Sequence, residues 1–219
     1  MRWKKQDKQS LTKTGICKIC FNKIEDNSLH SIFYHNPTIC YRCFKETKPR
    51  IIHFKVNGIN ATALYDYDEA IKKLLFQFKG CYDYELKSVF LEYFYFYIKI
   101  RYFNYVIVPA PSSEKANKER GFNHVVEMCK ILGLKIVCCI KKTADIKQSD
   151  LTQKERANIS KHLDISGGEK LRNKNVLLVD DVYTTGSTIK AMINLVKNYQ
   201  PKKIKILVLS KTVFDEKLN

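Results

Sequence analysis

The chain has 219 residues, a length that fits one ordinary domain with a small appendage, and its 45% hydrophobic share allows a core of useful size. Its formal net charge of +17 is concentrated at the two ends of the chain. Residues 1–50 carry eleven Lys/Arg against four Asp/Glu, residues 51–100 six against six, and the remainder twenty-two against twelve. Such a field attracts polyanions: nucleic acid, an acidic membrane face or phosphate ligands.

The opening decapeptide MRWKKQDKQS lacks the apolar run of a secretory signal. The most apolar window, 89–108, contains Glu92, Lys99, Arg101 and Asn104. A charge costs about 2.5–3.5 kcal/mol at the centre of a membrane helix, so a soluble helix followed by a strand is expected there. A cytoplasmic chain is the expectation, with its eight cysteines as thiols or metal ligands rather than disulfides.

Cys17-Lys-Ile-Cys20 and Cys40-Tyr-Arg-Cys43 are two CxxC pairs separated by nineteen residues. Each CxxC turn aims two sulfurs at one tetrahedral site, and two turns close it with four thiolates. A closed site has no open position for water, so a structural zinc is expected rather than a catalytic one. The segment 1–50 is near the size where a core alone is marginal, which suits a metal staple. A redox dithiol is the rival, but neither pair reads as a strand-turn-helix redox motif. His30 and His35, between the pairs, are read as surface residues. Cys81, Cys129, Cys138 and Cys139 follow no ligand spacing and are read as buried free thiols.

Residues 45–54 read as the connection out of this module. A strand is expected over 60–67, with Ala61, Ala63 and Tyr65 on one face. Asp68 then caps a helix carrying Ala70, Ile71, Leu74, Leu75 and Phe78, ended by Gly80. A second, aromatic-rich helix is expected over 85–100. From Tyr105 the rhythm changes to short apolar strands alternating with helices. Strands are expected over 105–108, 136–140, 163–165, 176–179 and 204–209. Helices are expected over 123–132, 152–160 and 187–198. This order predicts a parallel α/β sheet with helices on both faces, and a ligand at the carboxyl ends of its strands.

One string stands out: VLLVDDVYTTGST, residues 176–188. Four apolar residues meet two aspartates, and a hydroxyl-rich loop opens a helix. Burying a charge is expensive, so Asp180 and Asp181 are expected at the mouth of the sheet. There they can accept hydrogen bonds from vicinal hydroxyls or help to hold Mg²⁺. Gly186 lets the backbone turn closely, and the helix start with the Thr and Ser hydroxyls favours a phosphate. A phosphosugar is the ligand these parts suggest. Neither GxxxxGK[ST] nor GxGxxG occurs in the chain.

The string resembles the motif with which type I phosphoribosyltransferases bind 5-phosphoribosyl-1-pyrophosphate (PRPP). Three further stretches narrow the likeness to the ComF family of competence proteins. These are the CxxC module over 17–43, Pro109-Ala-Pro with Arg120-Gly121-Phe122-Asn123, and Gln148-x-x-Leu151 through Arg156-x-Asn158. The likeness spans nearly the entire chain. It implies a zinc-finger-like module over 1–50 and a phosphoribosyltransferase-like domain over 51–219, with 51–104 as a hood or bridging segment. It implies Asp180 and Asp181 on the ribose, and Val182, Tyr183, Thr184, Thr185, Gly186, Ser187 and Thr188 around the 5′-phosphate. It places Pro109, Ala110 and Pro111 near the pyrophosphate, with Arg120 and Arg156 on anionic groups. Arg120 and Arg156 read equally well as salt-bridge partners of Glu119 and Glu155, and Asn123 and Asn158 as helix caps.

The family implies structural Zn²⁺, Mg²⁺ bound with PRPP, and a role in uptake or handling of single-stranded DNA. It also implies partners of two kinds, a ComFA-like helicase/ATPase and a DprA-like recombinase loader, and a place at the inner face of the membrane. The alternatives are an active transferase with an unknown acceptor, or a PRPP-sensing nucleic-acid regulator. The sequence departs from the family pattern at His124, where Gln is common, and at Ser112-Ser-Glu-Lys115, where more basic residues are usual. In the hood segment only Tyr65, Asp66 and Tyr67 offer polar groups to an acceptor.

Overall fold

A computed structural model describes residues 15–24, 38–143 and 163–212. The chain divides into two compact units, 1–46 and 47–219. In the first, Ile16 and Lys23 form an antiparallel bridge, and helix α1 (Tyr41–Thr47) starts between the last two cysteines of the CxxC pairs.

Among the described residues, the second unit has seven strands. They are β1 (Ile52–Val56), β2 (Ile59–Asp66), β3 (Tyr105–Pro109), β4 (Ile140–Lys142), β5 (Leu163–Ile165), β6 (Asn175–Tyr183) and β7 (Lys203–Lys211). Five form one sheet in the order β1-β2-β7-β6-β3. The pairs β2–β7, β7–β6 and β6–β3 are parallel, whereas β1 is antiparallel to β2. The sheet is therefore mixed, not wholly parallel. The difference comes from the β1–β2 hairpin, whose first strand lies in what reads as a connection. Its turn is Asn57-Gly58, with φ of 49° and 76°. Asn-Gly is the pair that fits this tight turn with least strain, so the signal was present in Val-Asn-Gly-Ile.

The strand expected over 136–140 contracts to one parallel bridge, Ile136 with Ile107. The chain then leaves the sheet, and β4 pairs with β5 in a separate antiparallel ribbon. The helix expected over 152–160, with Arg156 and Asn158, lies outside the described residues, as do His30 and His35.

Side chains alternate across the central strands. Ala61, Ala63, Val106, Val108, Val176, Leu178, Ile206 and Val208 form one core cluster with Ile189, Met192 and Ile193. The last three belong to a helix over Ser187–Lys197. On the opposite face Tyr102 donates its hydroxyl to Thr62 Oγ1 at 3.3 Å. Helices thus cover both faces, which explains strands that are apolar on each side.

Helix α2 (Glu69–Lys79) is capped by Asp68, whose Oδ1 accepts the Ile71 N–H at 3.0 Å. It buries Ile71, Leu74, Leu75 and Phe78. The long helix expected over 85–100 is instead a 3₁₀ turn (Tyr84–Ser88), α3 (Val89–Glu92) and α4 (Tyr95–Tyr102). Aromatic residues are weak helix formers. Phe90, Phe94, Ile98 and Tyr102 are all buried, and the break at Tyr93–Phe94 lets both short helices seat their rings. Two more helices precede β4: α5 (Glu114–Arg120) and α6 (His124–Lys130). The helix over Ser187–Lys197 is α7.

Phe78 joins this packing to the region described next. Fully buried, it stacks near Phe90 (5.5 Å between centroids), Phe122 (5.3 Å) and His124 (6.4 Å). Phe78→Ala is expected to cost about 3–5 kcal/mol of stability. Chemical denaturation followed by fluorescence measures this, and a loss below about 1 kcal/mol would contradict the packing.

Candidate functional site

Asp180 and Asp181 lie within β6, not beyond it. The pairing explains how a central strand carries two acids. β6 runs beside β7 as far as Tyr183 opposite Lys211. On its other side β3 ends at Pro109 opposite Val179. The last bond across that side runs from the Ala110 N–H to the Val179 carbonyl, at 2.7 Å. Pro109-Ala-Pro111 then turns away, since proline cannot continue the ladder. The vacated edge is a cavity of about 580 Å³ walled by Ala110, Pro111, Ser112, Asp180, Asp181 and Thr188, among others. It sits at the carboxyl ends of parallel strands, where ligands of such sheets bind.

The two carboxyls differ in surroundings. Asp181 Oδ2 receives Lys79 Nζ at 2.5 Å and His124 Nε2 at 2.9 Å. Burial pushes this carboxyl up, but the His124 hydrogen bond and the Lys79 charge outweigh it and hold it well below the ordinary carboxylate range. Among the described residues, no such cation bonds to the oxygens of Asp180. Its Oδ1 accepts the Asp181 N–H at 2.9 Å, while burial and the charge of Asp181 drive its carboxyl well above the ordinary range. One acid is thus committed to its charge and its neighbour resists one.

Arg120 organises the cations. Its Nε donates to the Lys79 carbonyl at 3.0 Å, and its Nη1 lies 3.0 Å from His124 Nδ1. Arginine only donates, so Nδ1 is the acceptor. That fixes the tautomer with the proton on Nε2, aimed at Asp181. Ser112 Oγ also lies 3.3 Å from Nδ1. Arg120 reaches this place because α5 is capped by Ser113, which accepts the Ala116 N–H at 3.1 Å. The helix ends at Gly121, with φ of 82°. Asn123 then caps α6 by accepting the Val125 and Val126 N–H groups. Arg120 is not salt-bridged to Glu119, whose partner is Lys115 at 3.9 Å.

The hydroxyl loop opens α7. Gly186 has φ of 72°, and a Cβ there would lie 2.5 Å from the Tyr183 ring. Glycine is therefore required twice over, for the turn and for the close approach. Thr185 Oγ1 and Ser187 Oγ lie 3.1 Å apart, and Lys190 Nζ donates to the Thr185 carbonyl at 3.2 Å. The Ser187 N–H donates to Thr185 Oγ1 at 3.4 Å, and the positive dipole end of this eleven-residue helix favours an anion.

The expected site residues gather unevenly. Asp180, Asp181, Val182, Thr188, Ala110, Pro111 and Arg120 line the cavity. Pro109, Tyr183, Thr184, Thr185, Gly186 and Ser187 do not line it; Pro109 is buried, and Thr184 and Thr185 are exposed. Gly186 is buried under Tyr183. Arg156 lies outside the described residues. In the hood segment, Tyr65 is buried with its hydroxyl on the Phe90 carbonyl, and Asp66 pairs with Arg50 at 3.1 Å. The sequence reading missed Lys79 and Lys142 on the cavity wall and the role of His124. Lys79 is 102 positions from Asp181, and no local pattern marks it.

In the first unit the four Sγ atoms of Cys17, Cys20, Cys40 and Cys43 lie within 4.8 Å of one another, with 3.7 Å between Cys20 and Cys40. Sulfurs about 2.3 Å from a common ion at tetrahedral angles would be about 3.8 Å apart. Burial resists the Cys17 charge, yet backbone N–H groups of Cys20, Cys40 and Ile19 bring its thiol down to about 7. Burial and the three neighbouring thiols push Cys43 up. Four sulfurs this close ionise together only around a cation, so the cluster can hold a metal ion. Among the other thiols, Cys129 and Cys139 are buried as expected, but Cys81 and Cys138 are exposed.

The phosphoribosyl transferase domain family matches residues 118–215, which contain β6, the hydroxyl loop and β7. This part of the chain is a phosphoribosyl transferase domain. Competence protein ComFC of Streptococcus pneumoniae is 27% identical over 194 residues, covering 88% of this chain and 84% of that protein. ComFC of Bacillus subtilis is 24% identical over 205 residues, covering 80% and 85%. A hypoxanthine-guanine phosphoribosyltransferase structure from Bacillus anthracis is 17% identical with a TM-score of 0.39, over 63% of this chain and 75% of that one. The chain is thus similar over most of its length to ComFC competence proteins, and it carries a phosphoribosyl transferase domain and a four-cysteine cluster.

Asp180 carries a cost that can be read in stability. Its pKa is raised in the fold, so an ionised unfolded state is favoured once pH exceeds the ordinary carboxylate value. Asp180→Asn removes that cost. The variant is expected to melt higher than the parent at pH 7–8, by roughly 2–4 °C for each kcal/mol recovered. The gain should disappear as pH falls below about 4. Calorimetric scans across pH check this; a lower melting point at pH 8 would refute the assignment.

Proposed function

We propose that this chain binds PRPP in the β6 cavity and serves the uptake or handling of single-stranded DNA in natural transformation. One observation carries the reading: an acid pair and the start of α7 are held one loop apart at the same sheet end. The carboxylates suit the ribose hydroxyls, and the hydroxyl loop suits the 5′-phosphate. Arg120 and Lys142 face the same cavity and suit the pyrophosphate. Carboxylate oxygens are the hard donors Mg²⁺ prefers. When bound, Mg²⁺ would neutralise pyrophosphate charge beside Asp180 and Asp181. The DNA role is supported by the relatives' description as competence proteins and by the net charge of +17. A ComFA-like ATPase and a DprA-like recombinase loader are the partners in this reading, with the chain in the cytoplasm at the inner membrane face. Among the described residues, no helix is long and apolar enough to cross a membrane.

A second reading is transfer of ribose 5-phosphate to an acceptor. Arg120 and Lys142, in the same cavity as the acid pair, favour it, because such cations would stabilise a departing pyrophosphate. Pyrophosphate release from PRPP with candidate bases separates transfer from binding.

Titration calorimetry with PRPP and Mg²⁺ tests the main reading. The parent is expected to bind, and Asp180→Ala with Asp181→Ala to lose at least about 100-fold, since each charged hydrogen bond contributes about 1.5–3 kcal/mol. Equal affinity of the double variant would overturn the reading.

In the first unit we propose structural zinc on Cys17, Cys20, Cys40 and Cys43, which leaves no open coordination position. Elemental analysis is expected to find one zinc per chain, and none after Cys40→Ser with Cys43→Ser. A parent without zinc would remove the assignment.

A further inference from the structure

Lys79 stands on the wall between two cavities. It lines the Asp180–Asp181 cavity and also a groove of about 530 Å³ along the outer face of α2. Tyr67 and Phe76 supply the aromatic surface of that groove. Phe76 is 63% exposed. Lys72 and Lys73 stand on the same helix face by spacing. The one acid among the lining residues, Glu69, is paired with Lys72 at 3.2 Å. An open aromatic face beside ammonium groups matches the two halves of a nucleotide. A base stacks on the ring, and a phosphate meets the lysines.

Lys79 is withheld from this groove while its Nζ is bonded to Asp181 Oδ2. A ligand whose hydroxyls or metal take that oxygen displaces the ammonium. Its flexible four-carbon stem can then turn toward an anion in the groove. We propose that the groove between Tyr67 and Gly80 binds a nucleotide, and that Lys79, passing from Asp181 to the nucleotide phosphate, couples it favourably to the ribose-phosphate cavity. The coupling rests on the PRPP reading above; the groove itself does not. By linkage each ligand then raises the affinity for the other by the same factor.

The experiment measures dTMP and the strand (dT)12 binding to the full chain by calorimetry, with and without saturating PRPP and Mg²⁺. PRPP is expected to tighten nucleotide binding by about 5- to 10-fold. Phe76→Ala is expected to weaken it by about tenfold, the loss of one stacked base, with PRPP affinity unchanged. Lys79→Met is expected to abolish the tightening. Tighter, salt-dependent binding of (dT)12 over dTMP assigns the nucleotide to a strand, and equal binding assigns it to the free form. Binding of neither probe, or no effect of Phe76→Ala, overturns the groove. Undiminished tightening in Lys79→Met overturns the coupling. If PRPP itself fails to bind, the PRPP reading falls, while the comparison of parent with Phe76→Ala still decides the groove.

Discussion

Everything in the candidate site depends on two adjacent carboxylates held where a central strand loses one neighbour. Inside a sheet, a strand paired on both sides has no room for a charge, and an unpaired acid would titrate rather than stay ionised. β6 escapes this because β3 stops four residues before β6 does. The stop is built into the sequence as Pro109-Ala-Pro111. Two prolines therefore create the space that makes Asp180 and Asp181 tolerable, and the acids give that space its chemistry.

The cost of the pair is divided rather than shared. Asp181 is satisfied from elements far apart in sequence: Lys79 ends α2 and His124 begins α6. Arg120 ties these two ends together through the Lys79 carbonyl and the His124 ring. Three elements are thus oriented by one carboxylate. Asp180 keeps the burden of being buried beside a charge. A ligand offering hydroxyl donors or a cation relieves Asp180 and competes with Lys79 for Asp181. Ligand binding accordingly works by exchanging one set of charged hydrogen bonds for another.

How much of this was legible in the sequence follows from the range of each interaction. Residues 176–188 announced both the acids and the hydroxyl loop, because strand, turn and helix start are consecutive there. The CxxC pairs announced the sulfur cluster for the same reason: each turn carries its own geometry. The Asn57-Gly58 hairpin was equally local but passed over, and with it the antiparallel edge of the sheet. The aromatic segment 84–102 misled because its rings occupy every side of the helix, so periodicity could not show where the helix breaks. Lys79 and the ring of His124 were beyond local reading. His124 stood out only as a departure from the family pattern, and its work appears once Arg120 and Asp181 are folded against it.

The hydroxyl loop depends on packing as much as on its own chemistry. Thr184 and Thr185 are exposed and could not order the loop alone. Order comes from beneath. Tyr183 lies against Gly186 so closely that no side chain fits between them. The same ring meets Phe54 edge-on at 4.9 Å, and Phe54 belongs to β1 on the far edge of the sheet. The hairpin that local reading overlooked is thus one wall of the shelf on which the loop rests. α7 begins on that shelf and buries Ile189, Met192 and Ile193 against the strands. Its N–H groups therefore point from a fixed place. A phosphate site made of backbone and hydroxyls binds well only if it is ordered before the ligand arrives, since ordering it afterwards would consume binding energy. The aromatic shelf provides that order without adding a charge to a site already holding two.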